Sequence, residues 1–567
     1  MKSNRKQWIR SALAIAIVSG GSCGNGAAGD GTAGDGAADD RSDASIRRDA
    51  AAACATPVAS DPHLSERLSC TFTAGASAAR TVGLEDAARA ALPIRHVIVV
   101  MKENRSFDHI FGALAAIQPD VEALPAAFTN PDPHGVAVVP FHLNTTCITY
   151  DPGHQWQAMH DQINGGRMDG YAKVAGAYTD TEGWFALGYY DAQDLPFYYW
   201  LASTYAIADR YFPSVRSGTF PNRDYLLLGT SGDVMSTGTA VWPDPSFPII
   251  FDRLDAAGVS WGVYADAGDE PFEGCLDDPS HAWKGQHGYK TTDTLLAQLA
   301  AGTAPSVVFI DAREGVADEH PPADVQIGEA WTRRLYAAVT ASPLWSSTVM
   351  LFTHDEAGGF FDHVPPPDDA CLARPADQAF HELGTRVPLI AISPWARRHF
   401  VSHTRKEHTS ITRFIEAVFG LPALTARDAN SDALLDLFDF GCAPAAIAPA
   451  PAAGVDGCRG PRVMTSKAAY MSGEPIAITF ENGPGHRLDW VGVYPKGNAP
   501  APVSTIFGYV GGGGHVASGG RTDGTITLAA GSENKAGDWP LRRGQWVAWF
   551  LVNDSYMAVG SVEFTIL

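Results

Sequence analysis

"IRHVIVVMKENRSFDHIFG" (Ile94–Gly112) is the stretch whose reading decides the fold. Its first half is an unbroken run of β-branched and apolar residues, the pattern of a strand buried on both faces. Its second half puts Glu103, Asn104, Arg105, Ser106 and Asp108 where that strand must end. In open α/β sheets, the groups that do chemistry collect outside the carboxyl ends of parallel strands. A strand ending in so many polar side chains therefore predicts a parallel sheet and a site at its edge.

Segments downstream repeat the pattern. "SWGVYA" (260–265), "SVVFID" (306–311), "TVMLFT" (348–353) and "VPLIAIS" (387–393) are short apolar runs. Helical stretches alternate with them: "PFYYWLASTYAIADRYF" (196–212), "IFDRLDAAG" (250–258), "TLLAQLAAG" (294–302), "GEAWTRRLYAAVTAS" (328–342) and "ITRFIEAVFG" (411–420). This alternation predicts a mostly parallel α/β domain over residues 90–441, with helices on both faces of the sheet. A Pro/Ala linker is expected at 442–460. Residues 461–567 change texture to short strands with Gly, Pro and Asn turns, as in a small all-β sandwich. There Trp490, Tyr494, Trp546 and Trp549 alternate as core residues should.

The chain has 567 residues and a formal net charge of -22. That balance argues against a nucleic-acid partner and against electrostatic docking on anionic lipid, and leaves zwitterionic or small phosphorylated substrates open. The N-terminus is basic ("MKSNRKQWIR"), then briefly apolar ("SALAIAIVSG"), and reads as a signal peptide over 1–22. Cys23 stands where a bacterial lipoprotein signal is cut and lipidated. The expectation is an exported protein, either an outer-membrane or periplasmic lipoprotein attached through Cys23 or a secreted one. Residues 23–89 are expected to be a flexible low-complexity tether; 24–60 are largely Gly, Ala and Asp. Export permits disulfides, and the sequence neighbours Cys54/Cys70 and Cys442/Cys458 are the expected pairs. No Cys/His spacing suggests a structural zinc site.

Two strand ends carry dense acid clusters. One supplies Glu103, Asn104 and Asp108. The other runs into "HDEAGGFFDHVPPP" and supplies His354, Asp355, Glu356, Asp362 and His363. A single acid at a strand end is usually a cap or a solvated turn. Two such clusters brought together repel unless a cation sits between them, and oxygen ligands suit a hard one. A third segment, "RYFPSVRSGTFPNRDYLLLGTSG", packs the hydroxyls of Ser214, Ser217 and Thr219 beside Pro221, Asn222 and Arg223. A metal could make one of them a nucleophile. His154 and His160 are six apart, too far out of phase for a two-ligand helix face. His320 lies in "DEHPP", where two prolines force an extended turn.

Taken in order, "KENRSFDHIFG", "DPGHQW", "DRYFPSVRSGTFPNR", "DEHPP" and "THDEAGGFFDHVPPP" closely resemble the bacterial phosphoesterase family of phospholipases C and acid phosphatases. That family belongs to the alkaline-phosphatase-like superfamily. The resemblance covers about 94–440. It implies an αβα sandwich with one divalent or trivalent metal ion, of unknown identity, at the carboxyl edge of the sheet. It maps Glu103, Asn104, Asp355, Glu356 and Thr219 onto the metal, with Thr219 as the nucleophile. It makes His154, His320 and Asn104 catalytic, and His160 and His363 substrate-binding. A further site histidine of the family corresponds to His281 or His287. The C-terminal region has a second, weaker resemblance, to a small β-sandwich appended to some phosphatases and membrane-associated proteins.

These implications favour metal-dependent cleavage of a phosphodiester in a phospholipid or other phosphorylated molecule, through a phosphothreonine. The rival is an acid phosphatase acting on monoesters with the same site. A metal-free serine hydrolase would need more than "LGTSGD" around Ser231, which lacks the second Gly of G-x-S-x-G. A surface-anchored binding protein on an inactive scaffold would not need all of these residues.

Overall fold

In the computed structural model the described residues are Val58 and 61–567, apart from 237–246, 270–288, 448 and 518. The expected signal peptide, Cys23, Cys54, Cys275, His281 and His287 lie outside them. An eight-stranded sheet runs in the spatial order Phe400–Ser402, Ala206–Ala208, Leu389–Ile392, Thr348–His354, His96–Lys102, Val307–Ile310, Trp261–Ala265, Lys290–Thr291. Every neighbouring pair is parallel except the two made by Leu389–Ile392. Every residue of Val97–Lys102 and of Thr348–His354 is buried, so both faces of the sheet are covered. Helices Pro196–Thr204, Thr292–Ala301 and Val325–Ala341 pack as one group, and Thr219–Leu228, Ile250–Ala256 and His408–Phe419 as another. The domain is the αβα sandwich that the resemblance implies, with the sheet covered on both faces as the unbroken apolar strands predict.

Two local readings need correction. The expected helix over 196–212 stops at Thr204: Tyr205 turns to extended backbone, and Ala206–Ala208 and Tyr211–Phe212 become strands. Sheet pairing with Leu389–Ile392 and Phe400–Ser402 overrides the local helical pattern there. "VPLIAIS" forms its strand but runs antiparallel, a direction that apolar content alone does not encode.

The tether is also shorter than 23–89. Helices Leu64–Leu68, Ala78–Val82 and Asp86–Ala91 belong to the folded body. The Asn430 side chain brackets Phe72, accepting from its N–H at 3.0 Å and donating to its carbonyl at 2.8 Å. Likewise the linker is strapped down: Gly454 N–H donates to Glu329 (2.6 Å) and Gly457 N–H to Gln326 (2.9 Å), both on the helix Val325–Ala341. Among the described residues, disulfides join Cys70 to Cys371 and Cys147 to Cys458, partners 301 and 311 positions apart, in place of the expected neighbour pairs. Cys442 is also disulfide-bonded. Tertiary contact selects the partners, and sequence proximity does not.

Beyond the strap, a three-stranded and a five-stranded sheet form the β-sandwich. Trp546, Ala548 and Phe550 face its core with Ile478, Phe480, Val491 and Val493. Trp490, Tyr494 and Trp549 do not. They sit one residue out of phase, in a separate aromatic cluster with Val547 and Leu551. Among the described residues no helix is long and apolar enough to cross a membrane.

Candidate active site

The strands His96–Lys102 and Thr348–His354 run parallel with Lys102 opposite His354. Glu103 and Asp355 therefore leave the sheet side by side, and Asp355 N–H donates to Lys102 O at 2.9 Å. The next residue, Asn104, takes a left-handed backbone (φ 60). Its N–H donates to Asp355 Oδ1 at 3.1 Å. Gly358 closes this corner, because a Cβ there would fall onto the Asn104 carbonyl.

Thr219 opens the helix Thr219–Leu228. Its hydroxyl donates to Glu103 Oε2 at 3.1 Å. Four residues on, one turn along the same helix, Arg223 reaches back to the sheet edge. It donates to Glu103 Oε1 (2.6 Å) and Asp311 Oδ1 (2.9 Å), and its Nε lies 3.7 Å from Asp355 Oδ2. Ser217 is excluded from this group: its hydroxyl is buried and donates to the Met235 carbonyl at 2.6 Å.

On the other side stand two histidines. His154 Nδ1 lies 2.8 Å from the Pro152 carbonyl, which leaves Nε2 to face Glu356 Oε1 at 3.8 Å. His320 Nδ1 likewise lies 2.7 Å from the Pro321 carbonyl. The two rings are 5.9 Å apart, edge to face. Asp151 joins them, with one donor atom of each of the three within 4.8 Å of the others.

Electrostatics divide the acids. Burial would raise Glu103, but Arg223 and then His320 outweigh it and hold the carboxyl below its usual range. Asp355 and Glu356 go the other way. Burial first, and neighbouring carboxylates second, push both well above theirs. Thr219 stands close enough to Asp355 to offset part of that rise, without reaching hydrogen-bond geometry at Oδ2.

Both polar atoms of the Asn104 side chain, Asp355 Oδ2 and Glu356 Oε1 are buried without a hydrogen-bond partner. Buried polar atoms in folded proteins nearly always have partners. The three oxygens among them, from two adjacent loops, with Glu103 and the Thr219 hydroxyl beside them, fit a hard cation with oxygen ligands. The acidic trios with donor atoms within 4.8 Å among the described residues lie elsewhere, at Asp151–His154–His320, Asp108–Asp362–His363 and His142–Asp191–Asp194. The Glu103–Asp355–Glu356 set is more open, with Arg223 at its rim.

The two remaining expected residues are held in the surrounding frame. His160 Nε2 lies 2.9 Å from Glu382, which also accepts from Arg216 at 2.7 Å. His363 Nδ1 lies 2.6 Å from Asp108, and Arg386 ties Asp108 to Asp362. Burial pushes Asp362 up to about 7 against the pull of Arg386.

Sequence reasoning missed Arg223, Asp311 and Asp151. Arg223 had a signal, since i and i+4 share a helix face with Thr219. It also missed a layer beneath the site. Lys102, Glu319 and His354 each directly precede a site residue. They meet in one fully buried cluster: Lys102 Nζ lies 3.3 Å from Glu319 Oε1, and His354 Nε2 lies 2.9 Å from Glu319 Oε2. The Tyr198 hydroxyl donates to the same carboxylate, and Arg105 Nε donates to the Glu319 carbonyl at 2.8 Å.

The Phosphoesterase family model matches residues 94–422. Non-specific phospholipase C1 of Arabidopsis thaliana is 32% identical over 376 residues, 59% of this chain and 69% of its own. Phospholipase C A of Mycobacterium tuberculosis is 32% identical over 420 residues, 63% of this chain and 79% of its own. Non-hemolytic phospholipase C of Burkholderia pseudomallei is 30% identical over 396 residues, 58% of this chain and 55% of its own. The family match runs from the first strand of the sheet past every residue of the site, so the chain belongs to the phosphoesterase family and is a hydrolase acting on phosphate ester bonds.

Proposed function

We propose that the chain is a phospholipase C-like phosphodiesterase that works through Thr219 and depends on a metal ion. One observation carries the reading. The Thr219 hydroxyl, at a helix N-terminus, donates to Glu103 beside the unpartnered buried atoms of Asn104, Asp355 and Glu356. A divalent or trivalent cation held by Glu103, Asn104, Asp355, Glu356 and the Thr219 oxygen would, when bound, lower the hydroxyl pKa and offset phosphoryl charge. The rest falls to the protein's own groups. Thr219 Oγ1 attacks phosphorus in line with the leaving alcohol, and the alcohol departs with a proton from His320. The Asn104 amide and His154 Nε2 face the charge that develops on the equatorial oxygens. The N-terminal end of the Thr219 helix adds a positive dipole there. Water then cleaves the phosphothreonine and releases the phosphomonoester.

The phosphodiester preference is supported by the phospholipase C names of the relatives. We also propose export, supported by the basic-then-apolar N-terminus ahead of Cys23, with the enzyme anchored through that residue or released. The test compares Thr219→Ala with the parent on p-nitrophenylphosphorylcholine and p-nitrophenyl phosphate. The parent should prefer the diester, and Thr219→Ala should lose turnover on both while melting at the same temperature. A Thr219→Ala variant as active as the parent removes the nucleophile assignment. A large monoester preference in the parent removes the phospholipase reading.

A further inference from the structure

The loop that carries Asp151 and His154 is held from outside its own domain. Its beginning is fixed by the strap and the β-sandwich: Thr146 N–H donates to the Gly457 carbonyl at 3.1 Å, Cys147 is bonded to Cys458, and Asn144 donates to Asp523 at 3.1 Å. Its middle is held by one imidazole. The Tyr150 hydroxyl, one residue before Asp151 and four before His154, lies 3.1 Å from His486 Nε2 of the sandwich. The two rings meet edge to face with centroids 5.9 Å apart.

His486 holds a second piece of the rim as well. Its Nδ1 faces the Asp180 carbonyl and so carries the hydrogen, which leaves Nε2 to accept from Tyr150. The adjacent Glu182 is buried between the domains, donating its N–H to the Gly485 carbonyl at 3.2 Å and accepting from Gly520 N–H at 3.2 Å. The Asp180 segment in turn braces the His154 loop. Tyr178 lies against Gly153 so closely that a Cβ there would fall inside its ring. Within the sandwich, the buried Asp489 fixes His486 by accepting its backbone N–H at 2.9 Å.

We infer that the C-terminal β-sandwich is a working part of the active site: His486 and Tyr150 are positioning residues that set His154 against the reacting phosphoryl group. The inference rests on the role given to His154 above. A loop tied to a second domain at its start and at Tyr150, and to its own domain where Gln162 Nε2 donates to the Gly153 carbonyl at 2.6 Å, keeps its imidazole in place without a closing motion. Freed at Tyr150, the loop lets His154 drift away from Glu356 and His320.

The test is a double-mutant cycle on the full-length enzyme with p-nitrophenylphosphorylcholine, using Tyr150→Phe, His486→Ala, His154→Ala and the pairs with His154→Ala. Misplacing a catalytic group by about 1 Å costs up to about 100-fold, so Tyr150→Phe and His486→Ala should each lower kcat/KM by about 10-fold. The loss should fall mainly on kcat. In the His154→Ala background the same changes should cost less than about 2-fold, because coupled residues are not additive. His486→Gln, which can still donate to one partner and accept from the other, should recover most of the loss. Full additivity overturns the inference while leaving His154 in its role. A silent His154→Ala overturns that role, and the inference falls with it. Tyr150→Phe removes one hydroxyl only, so it decides the matter even if His486→Ala does not fold.

Discussion

Replacing Glu319 by Gln is expected to destabilise the enzyme by about 3–5 kcal/mol, the usual cost of removing one partner from a buried ion pair. The magnitude follows from what faces this carboxylate. Glu319, Lys102 and His354 are each 0% exposed, so no water takes over when the charge goes. Burial alone would raise the Glu319 pKa, and Lys102 followed by His354 reverses this to hold it below the usual range. Burial pulls Lys102 down, with Glu319 the main opposing influence. A glutamine keeps the shape but leaves the ammonium without its contacting anion, and turns an amide N–H2 toward either Lys102 or His354. Guanidinium denaturation followed by tryptophan fluorescence reads the loss. Removing both charges in Lys102→Met/Glu319→Gln should recover much of it, since a buried pair replaced as a pair is often near neutral. Turnover adds a second signature, because Glu319 precedes His320. An alkyl leaving group needs its proton and a nitrophenolate hardly does, so the variant should lose more on the alkyl ester. A Glu319→Gln protein within about 0.5 kcal/mol of the parent, the range of an ordinary surface change, would refute the reasoning.

Three further outcomes are expected. His109 is buried with Nδ1 2.7 Å from the Gly188 carbonyl and Nε2 3.1 Å from Arg105, a pattern that uses the neutral ring. Burial, then Arg105, hold its pKa well below 6.5. The unfolded chain takes up a proton below that pH and the folded chain refuses it, so stability present above about pH 6.5 is lost on acidification at about 1.4 kcal/mol per pH unit. His109→Gln should flatten the denaturation midpoint between pH 6.5 and 5 by that slope, and an unchanged slope sinks the idea. Gly358 has φ 63, and a Cβ there would strike the Asn104 carbonyl; Gly358→Ala should lose about 1–3 kcal/mol of stability and most activity, read by thermal melts and kcat. Arg223→Lys keeps the charge but cannot span Glu103 and Asp311 together, so kcat/KM should fall by about 10-fold or more, against no change if only charge matters.

Much of the site was legible because it is local. Glu103 and Asn104 follow a strand too apolar to be anything but buried, and "HDEAGG" follows another. The register that puts Lys102 opposite His354 then brings the two clusters together. Thr219 and Ser217 were harder to separate from sequence, being two residues apart on one loop; only the fold shows that one hydroxyl meets Glu103 and the other a backbone carbonyl. Glu319 was invisible for a different reason. Its partners are 217 and 35 residues away, and an acid beside a histidine and two prolines reads as a solvated turn. Period-two alternation explains the arrangement after the fact. Where Glu103 and Asp355 face the site, the residue before each must face the opposite way, and a Lys and a His there need a buried counterion. The Cys pairs and the strand Ala206–Ala208 failed for the same reason as Glu319: each is decided by a distant partner.

An acidic chain that hydrolyses an anionic ester poses a question of scale. The net charge of -22 belongs to the whole protein, and salt screens exposed charges beyond about 8–10 Å. What the phosphoryl group meets is local. Glu103, Asp311, Asp355 and Glu356 surround the guanidinium of Arg223 and the rings of His154 and His320. Arg223 engages Glu103 and Asp311 directly, which leaves Asp355 and Glu356 as the pair whose charge is least compensated, and theirs are the carboxyls that burial raises. A phosphate brought against two ionised, uncompensated carboxylates would be repelled. The same carboxylates become useful when they hold positive charge, because each then directs it at the phosphoryl oxygens from a fixed, dry position. Under the proposed function the acids of this site serve as ligands, and His154, His320 and the Asn104 amide are the groups that face the substrate.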